Sequence, residues 1–440
     1  MIFIIFSILL VVYSFFKYKK AFLISLIYKV VLVTNITFIS VPGIPLLTCE
    51  MFLDLCFIII YLIKFGIPKR SSFPYLIPFA FLGITYFLAT IFSISGVNSA
   101  ISEFVGTITS DILIVMLIWK FVNTKDDYKF IFKWISVIIF ISCIYGLYEQ
   151  FTKSNPLVEW EATFNHDESK TNLWIYYNDS RGWRTQSIFS HAIGAGIIWS
   201  CYLTVFLMLC FKYDLKLKNN LFYLITAILC VPCIIFTRSR TPLIFCIISL
   251  LSIFGYKKKK TLVLTISCAC ILAFGFLYLS VTNSVLLNYF DNAYVGGSSL
   301  EMRLGQLNHA FNLFKISPIS GLGFKYSNVI DNADVQGLLG GESILYEIIP
   351  TYGIIGMFSY FVFAVYMCIV IPYKYRSSEI MFISLAYWIA NIVSSTPGSK
   401  MYLLWLIIFF IAKNPVKKNT KKMQLVYSLN TNTNYYLNRI

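Results

Sequence analysis

Two arginines stand one residue apart in the stretch "FTRSRTPLIF", where one long apolar run ends and the next begins; they are Arg238 and Arg240. A guanidinium group is a permanently charged, planar fork of donors that grips phosphate or carboxylate in two places. Thr241 and Pro242 follow, which is typical of a helix N-cap and a first helical position. A helix N-terminus itself attracts anions through its N–H groups and dipole. The stretch therefore predicts an anion site made of two arginines and a helix end.

Three more arginines and a glutamate lie in other polar segments between apolar runs. Arg181 and Arg184 end a segment rich in tryptophan and tyrosine, whose rings suit either sugar faces or the interface of a membrane. Arg303 lies in a later polar segment, and Glu342 opens the apolar run that follows it. A carboxylate there is a functional candidate, although first-turn placement that complements the helix dipole is an equal alternative. For each arginine the alternative is an interfacial charge that snorkels to water.

The elements that must position these residues are membrane-spanning helices. Hydrophobic residues make up 58% of the 440 residues, and the mean hydropathy is +0.74. Charged residues make up 13%, roughly half the share of a soluble domain. Many apolar runs reach about 15–25 residues, which is the length that crosses a bilayer. We predict an all-α polytopic integral membrane protein with about 12–14 transmembrane helices.

The apolar runs divide the chain into six regions. They are N-terminal transmembrane helices (1–150), an external loop (151–185), central transmembrane helices (186–282), a large external loop (283–341), C-terminal transmembrane helices (342–413) and a basic cytoplasmic tail (414–440). In the large external loop, Ser298 and Glu301 have the spacing of a capping box, and the leucines and phenylalanines between Leu300 and Phe314 share one helical face. We predict an amphipathic helix near 299–315 that lies on the membrane or over a cavity.

The net charge of +16 is divided unequally between two sets of alternating loops. One set is rich in lysine and is predicted to be cytoplasmic by the positive-inside rule. Five of the eight arginines fall in the other, external set, namely Arg181, Arg184, Arg238, Arg240 and Arg303. Because the lysines suffice to fix the topology, the external arginines indicate a binding site for phosphate or carboxylate groups. The same distribution explains the positive net charge, so the charge does not indicate binding of nucleic acid. The sequence also lacks a Gly-rich phosphate loop, so no site for a soluble nucleotide is predicted.

Some polar and small residues lie inside the predicted spans. Asp54 and Asp111 either pair with Lys29 or line a polar cavity. The small residues at 194–196 predict close helix packing. The eleven cysteines lie almost wholly in apolar runs. We interpret them as small hydrophobic residues, with no disulfide framework and no metal site.

Four local patterns, in order over about residues 180–365, resemble those of the O-antigen ligase/polymerase superfamily, which includes the Wzy-type polymerases. They are "RTQSIFSHAIGAG" from Arg184, "FTRSRTPLIF" with Arg240 on the family arginine, "RLGQLNHAFNLFKISPISGLGF" with Arg303 on the family arginine, and "ESILYEIIPTYGIIGM" ending in G-x-x-G. Ligases of the family carry histidine where this chain has Glu342, which favours a polymerase and leaves the catalytic base open. The N-terminal half is similar to the family only as a set of spans.

The resemblance implies a GT-C-like protein of the bacterial cytoplasmic (inner) membrane, multi-pass, with a periplasmic or extracellular active face. It implies a glycosyltransferase without metal or cofactor that polymerises polyprenyl-pyrophosphate-linked oligosaccharide repeat units into O-antigen, capsular or exopolysaccharide. Arg184, Arg240 and Arg303 would then be catalytic residues that bind the pyrophosphate. Arg181 and Arg238 would assist in substrate binding, and Glu342 would be the base or would position the acceptor.

Two alternative functions remain at this point. One is an O-antigen ligase-type transfer of a finished glycan to another acceptor. The other is a flippase or transporter of lipid-linked oligosaccharides, which favours charges spread through the spans, whereas here they are concentrated in external segments. Expected partners are membrane lipids and the chain-length regulator and flippase proteins of the same pathway.

Overall fold

The computed structural model describes most of the chain, and what it describes is almost wholly helical. The described residues are 2–32, 37–39, 47–66, 73–159, 177–178, 182–189, 191–211, 220–252, 300–330, 343–393 and 401–414. The helices are α1 (Ile2–Val31), α2 (Cys49–Phe65), α3 (Leu76–Ile91), α4 (Val97–Thr107), α5 (Ile114–Phe121), α6 (Lys125–Thr152), α7 (Ala192–Phe211), α8 (Asn220–Phe236), α9 (Arg240–Leu251), α10 (Leu300–Ile316), α11 (Ile344–Val365), α12 (Ile371–Tyr375), α13 (Ser378–Val393) and α14 (Met401–Lys413).

Short elements of other kinds connect some of these helices. Two antiparallel strand pairs occur, β1 (Thr37–Ile39) with β2 (Leu47–Thr48) and β3 (Tyr177–Asn178) with β4 (Gly182–Trp183). A π-helical turn, Ile108–Leu113, joins α4 to α5, and another, Tyr366–Val370, joins α11 to α12. A 3-10 turn spans Tyr326–Asn328.

Several helices have the length and composition of membrane spans. Four described segments qualify: Val97–Phe121, Lys125–Thr152, Ala192–Leu209 and Ile344–Tyr375. Shorter apolar helices of 10–17 residues accompany them, α3 and α9 among them. The prediction of an all-α polytopic membrane protein is confirmed. The number of 12–14 spans stays a prediction, because stretches such as 253–299 lie outside the described residues.

Lysines and arginines lie at opposite ends of helix α6. At its start, Lys19 forms an ion pair of 2.7 Å with Asp127, and Lys413 donates to the carbonyl of Val122 at 2.9 Å. At its end, Glu149 holds the segment that contains Arg184, as described below. The 28 residues of α6 span roughly 42 Å at 1.5 Å per residue. We call these two sides of the molecule the lysine end and the arginine end.

Helix α9 packs closely against α7 and α13. A Cβ atom on Gly196 would lie 2.5 Å from Cγ of Pro242, so only glycine permits this approach of α7 to α9. Close packing at residues 194–196 is thus confirmed. The described cysteines are free and buried or half-buried, as interpreted from the sequence; the sulfurs of Cys143 and Cys230 are in contact at 3.7 Å.

Helix α11 is broken near its start, and another segment of chain fills the break. Gly353 leaves the helical conformation (φ 59°, ψ −153°), and Pro350 lies just before it. The segment 317–324 passes through this point, where the N–H of Leu322 donates to the carbonyl of Pro350 at 2.8 Å. Backbone groups that a continuous helix would pair internally are therefore paired with this segment, as the interior of a membrane protein requires. We call this crossing the junction.

The glycines of the junction allow two backbones to touch. Gly321 has φ of 70°, and a Cβ atom there would lie 2.3 Å from the carbonyl oxygen of Thr351. A Cβ atom on Gly353 would lie 2.6 Å from the backbone nitrogen of Gly321. On the far side, the N–H of Phe324 donates to the carbonyl of Ala89 at 3.1 Å. The junction thus ties α3, α11 and the end of α10 together.

The helix predicted near 299–315 is present as α10, but a different face packs against the protein. Gln306, Ala310 and Leu313 are buried, and α10 packs on α11. Phe311, part of the predicted apolar stripe, is 42% exposed. Leu307 and Phe314 of the stripe are half-buried. Placement of this stripe on a membrane stays a prediction.

Both alternatives for the acids inside the spans occur: Asp54 pairs with Lys29, and both Asp54 and Asp111 line a polar cavity. Lys29 forms ion pairs with Asp54 at 2.7 Å and with Glu50 at 3.2 Å. Asp111 lines a polar cavity between α2, the α4–α5 region and α14.

Candidate anion site

The turn between α8 and α9 starts the site. Ser239 is the N-cap of α9, with extended backbone angles, and Arg240 is the first helical residue. The prediction of a helix start here is confirmed, but the predicted cap, Thr241, is wrong by two residues. Pro242 is consequently the third helical residue. It is tolerated there because the first-turn N–H groups have no partner within the helix.

Arg184 reaches this turn from a segment 55 residues earlier in the chain. Its Nη2 donates to Oγ of Ser239 at 2.6 Å, and its Nε donates to the carbonyl of Thr237 at 3.4 Å. Ser239 makes no capping hydrogen bond with its own side chain, so its hydroxyl serves Arg184 instead. The backbones are also joined, because the N–H of Thr185 donates to the carbonyl of Phe236 at 3.0 Å. The "R-T" of one pattern and the "R-S-R-T" of another are thus held together.

Arg238 lies on the other side of the same turn. Its backbone is left-handed (φ 48°), and its guanidinium lies so close to Gly182 that a Cβ atom there would be 2.2 Å from Nη1. Burial lowers the pKa of Arg238 from its usual value, but an arginine remains charged at any physiological pH. Lys153, at the end of α6, lies near enough for the charge of Arg238 to act on it. Burial and then Arg238 lower the pKa of Lys153.

A buried carboxylate that the sequence analysis did not single out supports the Arg184 segment. Glu149 is fully buried, and it accepts hydrogen bonds from the N–H of Ser187 at 2.6 Å and of Gln186 at 3.2 Å. Ser187 has φ of 59°, so these bonds hold a strained backbone three residues after Arg184. The sequence feature that could have identified Glu149 is a single carboxylate near the end of an apolar helix. Burial of such a carboxylate costs free energy unless it is paired or functional.

We expect Glu149→Gln to lower both stability and activity. An amide offers one acceptor oxygen and turns an NH2 group toward a backbone N–H, so one buried donor loses its partner. The cost is about 1–3 kcal/mol, read as a lower unfolding temperature in detergent. The control is Glu159→Gln, because Glu159 is exposed and bonded to Ser154 by a 3.2 Å hydrogen bond. Equal behaviour of the two variants would contradict the supporting role of Glu149.

His191, which follows the Arg184 segment, is a neutral group. Burial and the nearby positive charge of Arg184 lower the pKa of His191 to about 4. Its Nδ1 accepts a hydrogen bond from the N–H of Ile193 at 3.0 Å, so the ring caps the start of α7. His191 therefore adds no positive charge beside the arginines.

The structure brings together some of the predicted site residues. Arg184, Arg238 and the α9 start with Arg240 meet at one place. Arg303 belongs to the first turn of α10, and its side chain is not among the described ones. Arg181 and Glu342 lie outside the described residues. The roles of all six stay predictions.

The start of α9, with Arg240 as its first residue and the side chains of Arg184 and Arg238 beside the same turn, is a potential site for a polyanion. Two phosphate groups offer enough oxygens for several guanidinium forks at once. The same arrangement can stabilise negative charge that develops on a leaving phosphate.

The fold defines a polytopic helical membrane protein, and arginines lie together at one end of its helices. Residues 225–361 match the Wzy_C family model, described as O-antigen ligase. This region therefore carries the domain of the O-antigen ligase/polymerase superfamily, and the resemblance is confirmed. The matched region begins within α8, includes Arg238, Arg240, Arg303 and Glu342, and ends within α11; Arg184 precedes it. None of the curated proteins matches the chain.

The family supports a function of O-antigen ligase/polymerase type in general and implies a glycosyltransferase-like or ligase activity. The location in a membrane follows from the apolar helices and the family together.

Proposed function

We propose that this protein polymerises polyprenyl-pyrophosphate-linked oligosaccharide repeat units on the outer face of the bacterial cytoplasmic membrane. The observation that carries the proposal is the hydrogen bond from Arg184 to the N-cap Ser239 of α9. It places an arginine from one family pattern beside the helix start of another. The resulting concentration of positive charge suits the pyrophosphate of a lipid-linked donor.

The reaction has a simple balance of bonds and protons. A hydroxyl oxygen of the acceptor sugar forms a bond to the anomeric carbon of the donor, and the bond from that carbon to the pyrophosphate oxygen breaks. The pyrophosphate leaves with the electron pair, and the acceptor hydroxyl loses its proton. Arg184, Arg240 and Arg303 would stabilise the leaving group, with Arg181 and Arg238 assisting. Glu342 would receive the proton or position the acceptor.

Deletion of the gene tests the proposal. We expect the mutant to carry single repeat units where the parent strain carries polymer, as seen when the surface glycan is sized on a gel. Expression of the wild-type chain should restore the ladder of lengths. If repeat units can be labelled in the outer leaflet of the mutant membrane, their transport across the membrane is intact. That result would exclude a flippase function for this protein.

Ligase-type transfer is the second candidate, because the matching family model is described as O-antigen ligase. A ligase mutant would instead accumulate long chains on the polyprenyl carrier. The sequence feature that favours a polymerase is Glu342 at the position where ligases of the family have histidine. Extraction of the carrier lipids from the deletion strain separates the two candidates directly.

A further inference from the structure

A second polar site lies away from the arginines. A cavity of about 290 Å³ opens between α2, the α4–α5 region and α14. Lys29, ten residues beyond Lys19 along α1, lies roughly 15 Å nearer to the arginine end than that lysine. The cavity therefore lies in the half of the molecule that also contains the anion site.

Carboxylates and hydroxyls dominate the lining of this cavity. The acidic members are Glu50, Asp54, Glu103 and Asp111, and the hydroxyl-bearing ones are Thr48, Ser102, Thr107, Thr109, Ser110 and Tyr402. Three of them come from the π-helical turn 108–113, a type of turn that often occurs at functional sites. Polar and charged side chains inside an apolar bundle cost free energy, so they usually mark a binding site or a path for a substrate or ion.

The four carboxylates of the lining fall into two pairs, one with an ion-pair partner and one without such a partner among the described residues. Asp54 and Glu50 share ion pairs with the buried Lys29. In the described part of the chain, Glu103 and Asp111 form no salt bridge, and Asp111 accepts only a hydroxyl bond from Ser110 at 2.9 Å. Two carboxylates are therefore left to accept hydrogen bonds from a ligand.

An unused hydroxyl points to the same conclusion. Tyr402 lines the cavity and is 5% exposed. Its buried hydroxyl has no hydrogen-bond partner among the described residues. A buried polar atom of this kind is normally paired, so a ligand with donors and acceptors would complete it.

We propose that this cavity binds the hydroxyl groups of the acceptor sugar, an inference that rests on the proposed function. Sugar hydroxyls donate to carboxylates and exchange hydrogen bonds with serine, threonine and tyrosine. The donor pyrophosphate is repelled here, because four carboxylates outnumber one lysine among the lining residues. Within the described residues, no group of three or more His, Cys, Asp or Glu is arranged to hold a metal ion. By charge, the acceptor sugar would bind in the acidic cavity, and the donor pyrophosphate would bind at the arginines.

The cavity is also connected to the junction. Lys325 directly follows the junction segment and donates to Oγ of Ser102, a lining residue, at 2.7 Å. Ser93 Oγ donates to the carbonyl of Phe324 at 2.7 Å. The glycine turn of the junction therefore positions one wall of the cavity.

Direct binding tests the proposal with a defined probe. The probe is the repeat-unit oligosaccharide, released by mild acid from the carrier lipid of a strain that lacks this protein. We expect the wild-type protein in nanodiscs to bind it, and the double variant Glu103→Gln/Asp111→Asn to bind it about tenfold or more weakly. The control Asp126→Asn makes the same chemical change at the lysine end, where the side chain is 91% exposed, and should bind as wild type does.

A second probe, polyprenyl pyrophosphate without sugar, distinguishes the two sites. The double variant should bind it as wild type does, whereas Arg240→Lys should bind it more weakly. No binding of the oligosaccharide by wild type, or equal binding by wild type and the double variant, would overturn the cavity proposal. Failure of the proposed function is a separate outcome: wild type would then form no polymer from intact lipid-linked repeat units. Unfolding temperatures of all variants exclude misfolding as the cause of weak binding.

Discussion

Replacing Arg240 by lysine is expected to reduce polymer formation about 100-fold or more. Lysine keeps the positive charge at the start of α9 but presents a single ammonium group in place of a planar fork. Bidentate contact with a phosphate is then lost while the local electrostatics change little. The measurement is the rate at which purified protein in nanodiscs converts lipid-linked repeat units into polymer.

The matched control is Arg376→Lys. Arg376 is exposed and lies in a lysine-rich loop that is predicted to be cytoplasmic. The same chemical change there should leave the rate unchanged. Normal polymer yield and length from Arg240→Lys would rule out bidentate recognition at this residue. Arg184→Lys is a less direct test, because Arg184 also bonds to Ser239 and Thr237 and its loss disturbs the turn.

Gly321→Ala is expected to be the most damaging single substitution for folding. Its φ of 70° is strained for alanine, and the added Cβ atom would lie 2.3 Å from the carbonyl oxygen of Thr351 and 2.6 Å from the backbone nitrogen of Tyr352. Neither backbone atom can move without opening the break in α11. We expect a loss of about 3–5 kcal/mol, seen as little folded protein in membrane extracts and a much lower unfolding temperature.

Gly83→Ala provides the matched comparison. Gly83 lies inside α3, where the nearest atom to an added Cβ is Cδ1 of Ile112 at 3.8 Å. Alanine is the better helix former by about 1 kcal/mol, so this variant should be as stable as wild type or slightly more stable. Similar unfolding temperatures for the two alanine variants would mean that the junction is not a structural requirement.

The fold class and one half of the anion site followed from the sequence, because both depend on local features. Apolar runs and the distribution of lysine determine the class of protein, and the "T-R-S-R-T-P" stretch marks a helix start regardless of the surroundings. The cap itself was misplaced. Threonine before proline is the better local signal, but Arg184 bonds to Ser239, and no local pattern reveals a partner 55 residues away.

What the sequence left open depends on tertiary contacts. In the sequence, Glu149 is only a polar residue near a helix end. Its supporting role follows from the structure, where it accepts hydrogen bonds from the N–H groups of Gln186 and Ser187. The face by which α10 packs on α11 also depends on tertiary contacts: Ala310 and Leu313 are buried, whereas Phe311 of the predicted apolar stripe is exposed. Asp54 and Asp111 line the same cavity, and only the position of Lys29 distinguishes them, because Lys29 forms an ion pair with Asp54.

The junction also has a consequence for biosynthesis. Its hydrogen bonds join Ala89 to Phe324 and Leu322 to Pro350, so the partner of Ala89 in α3 is made only after more than 230 further residues. A nascent chain that stops before Pro350 contains every residue of the Arg184–Ser239 contact but lacks the partner that completes the junction. Ribosome-bound chains of increasing length should therefore become resistant to protease at this end only after Ile355 has left the exit tunnel. The cavity between α2, the α4–α5 region and α14 is completed later still, after Tyr402 and Trp405 have been made.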